Sequence, residues 1–483
     1  MRRRNIMICS VLTQEQIQAI HEASLCILER VGVEVPHPEV LRRFADCGAQ
    51  VDFERKRVKI PADLVLRSVA QAGKQFTLYG RDLKRQAAFG QGKRNYNSIA
   101  GEALWVDNVG DERRYASLAD VETATRFGDA LKHINLVGAM ADPQELPVAL
   151  RSVEAMAVML QNTTKPIHFW LYDRASAKYL VEMLVALRGD EARARQYPVF
   201  YPFLEPISPL RFPFQGVDLL FETARLNLPV PIGPMAQMGL SGPATMAGIM
   251  AQENAEILAG VCVTQRISEG MPVMYGGICH AFDMATTQLI FCGPEQAIFG
   301  VAMTQMGKYY GFPVYVNVGL TDSKRPDAQA GLEVGTTLLP AAAAGADIYG
   351  HMGISGVDQA TSLDILVLQH EAISFIESVL REIEFSAETF ALEEIEAVVT
   401  GGSKFLDGEH TARHFRRELW FPTLLDRQYY QGWLDSGGPS TEERCRQRKE
   451  QILRTHRPEP VSAELKQALD EIVKAARREL EGA

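Results

Sequence analysis

Aromatic rings, carboxylates and histidines recur at the ends of short apolar runs along this chain. The run Pro166–Tyr172 carries His168, Trp170 and Tyr172, and the run Val199–Glu205 carries Phe203 and ends in Glu205. Tyr275 lies in Val273–Ile278, and Asp322, Lys324 and Gln329 lie in the polar stretch after Val314–Val318. Tyr349 and His351 close the run that begins at Ile348. Rings and carboxylates with few arginines suit a substrate that carries a permanent positive charge. An aromatic face attracts a quaternary ammonium by ~0.5–2 kcal/mol, and a nearby carboxylate adds a Coulomb term. A phosphorylated substrate would instead require glycines and cations after the last strands.

Each residue also has a purely structural reading. Trp170, Phe203 and Tyr349 can pack beneath helices, Lys324 and Arg325 can form a solvated turn, and Asp322 and Asp327 can cap a helix. Glu205 resists that treatment, because a carboxylate in an apolar run is either salt-bridged or functional. His168 and His351 gain weight if a barrel aims the C-terminal ends of its strands at one pocket. His410 and His414, four residues apart, have the spacing of metal ligands but lie in a charged segment that reads as a solvated face.

The element that must position such groups is clearest at Gly311–Gly335. A β-branched run, Pro313–Val318, breaks at Gly319 into Thr321, Asp322, Ser323 and Lys324, and a helical pattern follows Pro326. Strand, polar loop and helix form one βα unit. The pattern repeats from about residue 116, with strands expected at Ile134–Met140, Pro166–Tyr172, Val199–Glu205, Val230–Met235, Val273–Ile278, Val314–Val318 and Ile348–Gly350. Alternation of this kind predicts a parallel α/β sheet, and eight units would close a TIM (β/α)8 barrel. Ala103–Val106, or a strand near the end, would be the eighth. Residues 1–115 read as an N-terminal α+β cap, 116–397 as the barrel and 398–483 as a mostly helical C-terminal extension for packing or assembly. Thr13 and Gln16 spell a capping box for a first helix reaching Val31.

Composition narrows the function classes. With 50 Lys+Arg against 60 Asp+Glu the net charge is −10, which argues against a nucleic-acid binder. The basic opening MRRRN is short, Ile6–Leu12 is too mixed for a secretory signal, and no apolar run reaches membrane-spanning length, so a cytoplasmic protein is expected. Seven scattered cysteines form neither a disulfide framework nor a zinc site. Dinucleotide, P-loop, zinc-protease and hydrolase-elbow motifs are missing from the sequence.

GPMAQMGLSGPATMAG, NAEILAGVCVTQRISEGMP and TDSKRPDAQAGLE, with LTQEQIQAIHEASLCILERVGV and RRYASLADVETATRFGDAL nearer the start, resemble the trimethylamine–corrinoid methyltransferase (MttB-like) family. The resemblance runs from about residue 10 to about 475. It implies a TIM barrel that moves a methyl group from an amine to the cobalt of a corrinoid held by a separate protein. No residue marks pyrrolysine, which the founding trimethylamine enzymes carry, so the likeness is to members such as glycine betaine methyltransferases. No D-x-H-x-x-G segment is present, which implies that no cofactor is bound by this chain and that a corrinoid protein partner brings it. Under that reading Glu205, Asp322 and His351 are the candidate catalytic residues. His168, Trp170, Tyr172, Phe203, Tyr275, Lys324, Gln329 and Tyr349 are the candidate substrate contacts. A homo-oligomer is expected. A trimethylamine methyltransferase-like enzyme, a non-catalytic amine-binding barrel and a metal-dependent lyase or aldolase are the alternatives.

Overall fold

The computed structural model describes residues 9–481, and the basic opening, residues 1–5, lies outside them. Among the described residues seven strands belong to the central parallel arrangement: β1 (Asn95–Ser98), β2 (Val137–Gly138), β3 (Ile167–His168), β4 (Val230–Ile232), β5 (Val273–Gly277), β6 (Val314–Asn317) and β7 (Ile348–Met352). Five of them form one all-parallel sheet in the order β4-β5-β6-β7-β1, and β2 pairs in parallel with β3. A parallel bridge between Asn97 and Leu136 joins β1 to the β2–β3 pair. Such an order needs a crossover after each strand. Helices between them supply it: α1 (Leu118–Ala130), α2 (Val148–Asn162), α3 (Arg174–Arg188), α4 (Phe214–Thr223), α5 (Met246–Ile267), α6 (Pro294–Tyr309), α7 (Ala328–Ala344) and α8 (Leu363–Val379). The architecture is α/β and TIM-barrel-like.

Two expectations are corrected. Val199–Glu205 is not a regular strand: its residues hydrogen-bond on both sides, Ile167 N to Val199 O at 3.0 Å and Leu204 N to Pro231 O at 2.9 Å, but the ladder is interrupted. Pro202 and Pro206 lack the N–H a central strand must donate. The further strand of the parallel sheet is neither Ala103–Val106 nor near the end of the chain. It is β1, within the stretch assigned to the cap, while Leu104–Val106 joins a separate four-stranded sheet. The NYNS sequence of β1 gave no apolar signal because its residues are buried while three of the four are polar.

The expected first helix spans Gln14–Arg30 with the Thr13/Gln16 capping box formed. It docks through Ser24, whose Oγ donates to Ala251 O at 2.8 Å on α5. At the other end of the chain, helices α9 (Thr441–Thr455) and α10 (Ala463–Leu480) pack on the outside of the barrel helices. Lys449 Nζ donates to Asp364 Oδ2 at 2.9 Å with both groups buried, and Arg477 pairs with Glu154. His410 and His414 bond the carbonyl and the carboxylate of Glu388, and among the described residues no group of three or more His, Cys, Asp and Glu could hold a metal ion.

Candidate active site

The loops above the strand ends are held by side chains of the helices behind them. Glu253 and Glu256, one turn apart on α5, accept from different loops. Glu253 takes Ile278 N at 2.8 Å and Ala236 N at 3.3 Å. Glu256 takes Ser208 Oγ at 2.6 Å and Leu210 N at 2.8 Å. Glu333, on α7, accepts from Thr321 Oγ1 at 2.6 Å and Asp322 N at 2.8 Å. Gln369, on α8, accepts from Gly353 N at 2.6 Å and donates to Gly319 O at 2.8 Å. These bonds satisfy backbone groups and two hydroxyls, Ser208 and Thr321, that would otherwise be stranded in the loops, so the loops are pinned. Glu256 and Glu333 belong to the NAEILAG and TDSK…E segments, whose acidic residues thus serve as scaffold.

Beside the turn that Glu256 holds and the loop after Ile232 that Glu253 holds lies an open cavity of about 710 Å³ whose wall includes Trp170, Tyr172, Phe203, Glu205, Met235 and Gln237. Gly233 makes room for one wall, since a Cβ there would sit 2.6 Å from the Phe203 ring. Trp170 and Phe203 meet edge to face at 6.2 Å, and the indole N–H donates to Gly101 O at 2.8 Å, which fixes the ring. Beneath them His168 lies 5.9 Å from Trp170, 5.2 Å from Tyr201 and 6.0 Å from His351, and Tyr315 lies 5.4 Å from His351 and 5.6 Å from Phe203. Burial pushes the His168 imidazole down to about 3 and His351 well below its usual value, so both are neutral at pH 7.

Carboxylates gather at the mouth. Glu205 has no ion pair or hydrogen bond with another described residue, which removes the salt-bridged alternative there. Its side chain is open to the cavity on one side and crowded by protein on the others. The crowding governs its ionisation, because the low-dielectric walls carry the field. Burial first, then Asp358, pushes Glu205 up to about 7. Glu102 and Asp358 are pushed up as well, both chiefly by burial, and Asp358, Asp142 and Glu205 add repulsion at Glu102. Asp142 differs, being paired with Arg151 at 2.6 Å and accepting from Tyr172 OH at 2.7 Å. Asp358 sits in a loop where Gly356, Val357 and Asp358 all take positive φ, 66°, 61° and 56°. For a β-branched residue that conformation is strained, and such strain gathers at functional sites.

The residues expected from the sequence divide into two sets. Trp170, Tyr172, Phe203 and Glu205 line the cavity, and His168 and His351 lie directly under it. Asp322, Tyr275, Lys324, Gln329 and Tyr349 do not line it. Asp322 accepts from Phe291 N at 3.0 Å and ties two loops together. Lys324 Nζ donates to Asp322 O at 2.8 Å in an exposed turn, and Gln329 bonds Glu333 on α7. Tyr275 OH donates to Asn254 Oδ1 at 2.9 Å on the helix side of its strand. Tyr349 OH donates to Ala346 O, with its ring against Tyr96 at 5.2 Å. The pairing of β7 with β1 shifts register between Tyr349 and Met352, so Tyr349 and His351 do not share a face despite their i, i+2 spacing. Tyr201, Tyr315, Glu102 and Asp358 were missed. Tyr201 was accessible to period-two reasoning from Phe203 and Glu205. Glu102 follows the unrecognised strand β1, and Asp358 belongs to a loop with no sequence signature.

Comparisons with known proteins agree with this architecture. The sequence profile of the trimethylamine methyltransferase (MTTB) family matches residues 1–483. The chain is 29% identical to trimethylamine methyltransferase MttB of Desulfitobacterium hafniense over 461 residues, covering 95% of this chain and 92% of that protein. It is 30% identical to the glycine betaine methyltransferase of another Desulfitobacterium hafniense strain over 458 residues, covering 94% and 95%. Among solved structures, monomethylamine methyltransferase of Methanosarcina barkeri superposes with a TM-score of 0.53 at 9% identity, over 98% of this chain and 88% of that one, a likeness of fold. The pinned loops, the aromatic cavity and this match along the whole chain lead to one conclusion: the protein is a methyltransferase and belongs to the trimethylamine methyltransferase family.

Proposed function

We propose that the protein moves a methyl group from a small quaternary amine to the cobalt of a corrinoid carried by a separate protein. The observation that carries this reading is Glu205, an unpaired carboxylate open to a cavity walled by Trp170 and Phe203. The ring faces attract the methylated ammonium and Glu205 adds a Coulomb term, while neutral His168 and His351 orient the substrate without repelling it. The corrinoid supplies a cobalt(I) nucleophile for in-line attack on a methyl carbon. A quaternary nitrogen leaves as a neutral tertiary amine, so the chain's task is to desolvate the cation, hold one methyl toward the mouth and exclude water. No general acid is required, which accords with the neutral imidazoles.

We read the barrel as eight-fold, with residues 199–204 spanning the gap between β3 and β4. The cap, barrel and extension remain the domain scheme, with β1 given to the barrel. Exposed apolar side chains recur from Ile383 to Leu434, which supports an assembled state. Among the described residues no helix is long and apolar enough to cross a membrane, which accords with a cytoplasmic address. The test mixes the purified protein with a reduced corrinoid protein and, separately, glycine betaine, other quaternary amines and trimethylamine, while the cobalt absorbance is followed. Conversion of cobalt(I) to methyl-cobalt(III) with a quaternary amine is expected. No conversion with any methylated amine would overturn the reading.

A further inference from the structure

Beyond the last barrel helix the chain folds into short helices without a core of their own. Leu392–Gly401 and Glu409–Glu418 are 10 residues each, and neither has a buried side chain among its described residues. Helices of that length are marginal in water on propensity alone, so packing of an apolar face must hold them. That face is present but uncovered: Phe385, Phe390, Leu392, Val399, Leu406 and Leu419 are each more than half exposed. Phe390 and Leu392 also line an open groove of about 740 Å³, together with Glu394, His410 and Arg413. The segment is anchored to α8. Trp420 Nε1 donates to Ser374 Oγ at 3.0 Å, and Glu371 accepts from Thr423 N and Leu424 N, both at 2.9 Å.

Area, charge and position together name what covers this face. A Phe ring carries ~150–250 Å² and an aliphatic side chain somewhat less, so the six uncover on the order of 700 Å². One partner of a standard interface contributes about 800 Å², whereas the largest apolar patch of a typical monomer is about 300–600 Å². The same helices carry charges of both signs, Glu393 and Glu396 on the first and Arg413, Arg416 and Arg417 on the second. Arg413 pairs with Glu388 and Arg417 with Glu384, whereas Glu393, Glu396 and Arg416 have no ion pair among the described residues. A surface with apolar residues and free charges of both signs complements itself, the condition for isologous pairing about a two-fold axis. The segment also lies away from the mouth. Helix α8 starts just after the Asp358 loop, and Ser374, which holds Trp420, is about 16 Å further along its axis. A partner that must reach the cavity has no contact to make there. We infer that the face between Phe385 and Leu419 is the pairing surface for a second copy of this chain, the acidic helix of each copy lying against the basic helix of the other. The inference is independent of the quaternary-amine reading.

The test is sedimentation velocity of the full chain at micromolar concentrations. A dimer, or an even-numbered assembly built from it, is expected for the wild type. Val399→Glu combined with Leu406→Glu, both at exposed positions, is expected to weaken self-association about a hundredfold and give a monomer with unchanged circular dichroism. Arg416→Glu, and separately Glu393→Lys with Glu396→Lys, are each expected to weaken it about tenfold. An equimolar mixture of those two variants is expected to recover it, because each like-charge contact becomes an opposite-charge one. A monomeric wild type would overturn the inference, as would wild-type size in the folded Val399→Glu, Leu406→Glu variant. Failure of the mixture to recover would overturn the two-fold charge pairing. Association only after a corrinoid protein is added would give the surface to that partner instead. A stable dimer that transfers no methyl group would count against the quaternary-amine reading alone.

Discussion

A carboxylate that burial holds at about 7 attracts a cation only in its ionised fraction, so affinity at Glu205 depends on pH. The sign follows from linkage: below about 7 the group is protonated and neutral, and as pH rises through that value the charge and its attraction appear together. Tetramethylammonium affinity is therefore expected to increase between about pH 6 and about pH 8. Glu205→Gln should bind about tenfold more weakly at pH 8 and lose most of the pH dependence, a loss of roughly 1.4 kcal/mol. Titration calorimetry at several pH values measures both, and a wild-type Kd that does not change with pH would contradict the role given to Glu205. At this scale the sequence was informative wherever alternation held. Trp170, Phe203 and Glu205 could be read as wall residues. Tyr349 could not be separated from His351, because the register shift that follows Tyr349 and puts the two on different faces lies in the pairing of two strands about 250 residues apart in sequence.

Helix α5 illustrates how an element can be built for its neighbours' loops. Its buried face carries Glu253, Asn254 and Glu256, and each answers a different part of the mouth or the cap: the β4 and β5 loops, Ser24 with Tyr275 and Tyr310, and the Ser208–Leu210 turn. Removing the Glu256 carboxylate strands Ser208 Oγ and Leu210 N. Glu256→Ala is therefore expected to lower stability by about 2–3 kcal/mol in urea unfolding and to loosen the wall next to Pro206 and Ile207. An unchanged unfolding midpoint would show that solvent replaces those bonds without loss. The helix itself was legible from its apolar length, and so was the βα alternation. Strand β1 was not, because Asn95, Asn97 and Ser98 are polar yet buried, and period and polarity then point in opposite directions.

Across the whole molecule, the C-terminal segment is bound to the barrel through Lys449. Its ammonium donates to Asp364 Oδ2 at 2.9 Å, to Asp107 O at 2.8 Å and to Asn108 Oδ1 at 3.1 Å, uniting α9, α8 and the small sheet at Leu104–Val106. Breaking a buried pair from one side leaves an uncompensated charge. Lys449→Met should cost about 3–5 kcal/mol, and Lys449→Met with Asp364→Leu should recover much of that loss. Chemical denaturation of the single and double variants checks this; equal stabilities of the single variant and the wild type would show that Asp364 is neutral or solvated.

By itself the sequence determined the class of the fold, the alternation of strands and helices, the family, and a wall of rings with one unexplained acid. These are carried by local periodicity and by motifs contiguous in the chain. Only the tertiary structure decided which acids and rings meet: Glu205 with Asp358 and Glu102 at the mouth, and His168 with Tyr201 and His351 beneath. Those groups come from segments far apart in the chain. Their meeting depends on strand order, on a register shift and on where Pro202 and Pro206 interrupt a ladder, and none of these leaves a trace in the spacing of residues along a single segment.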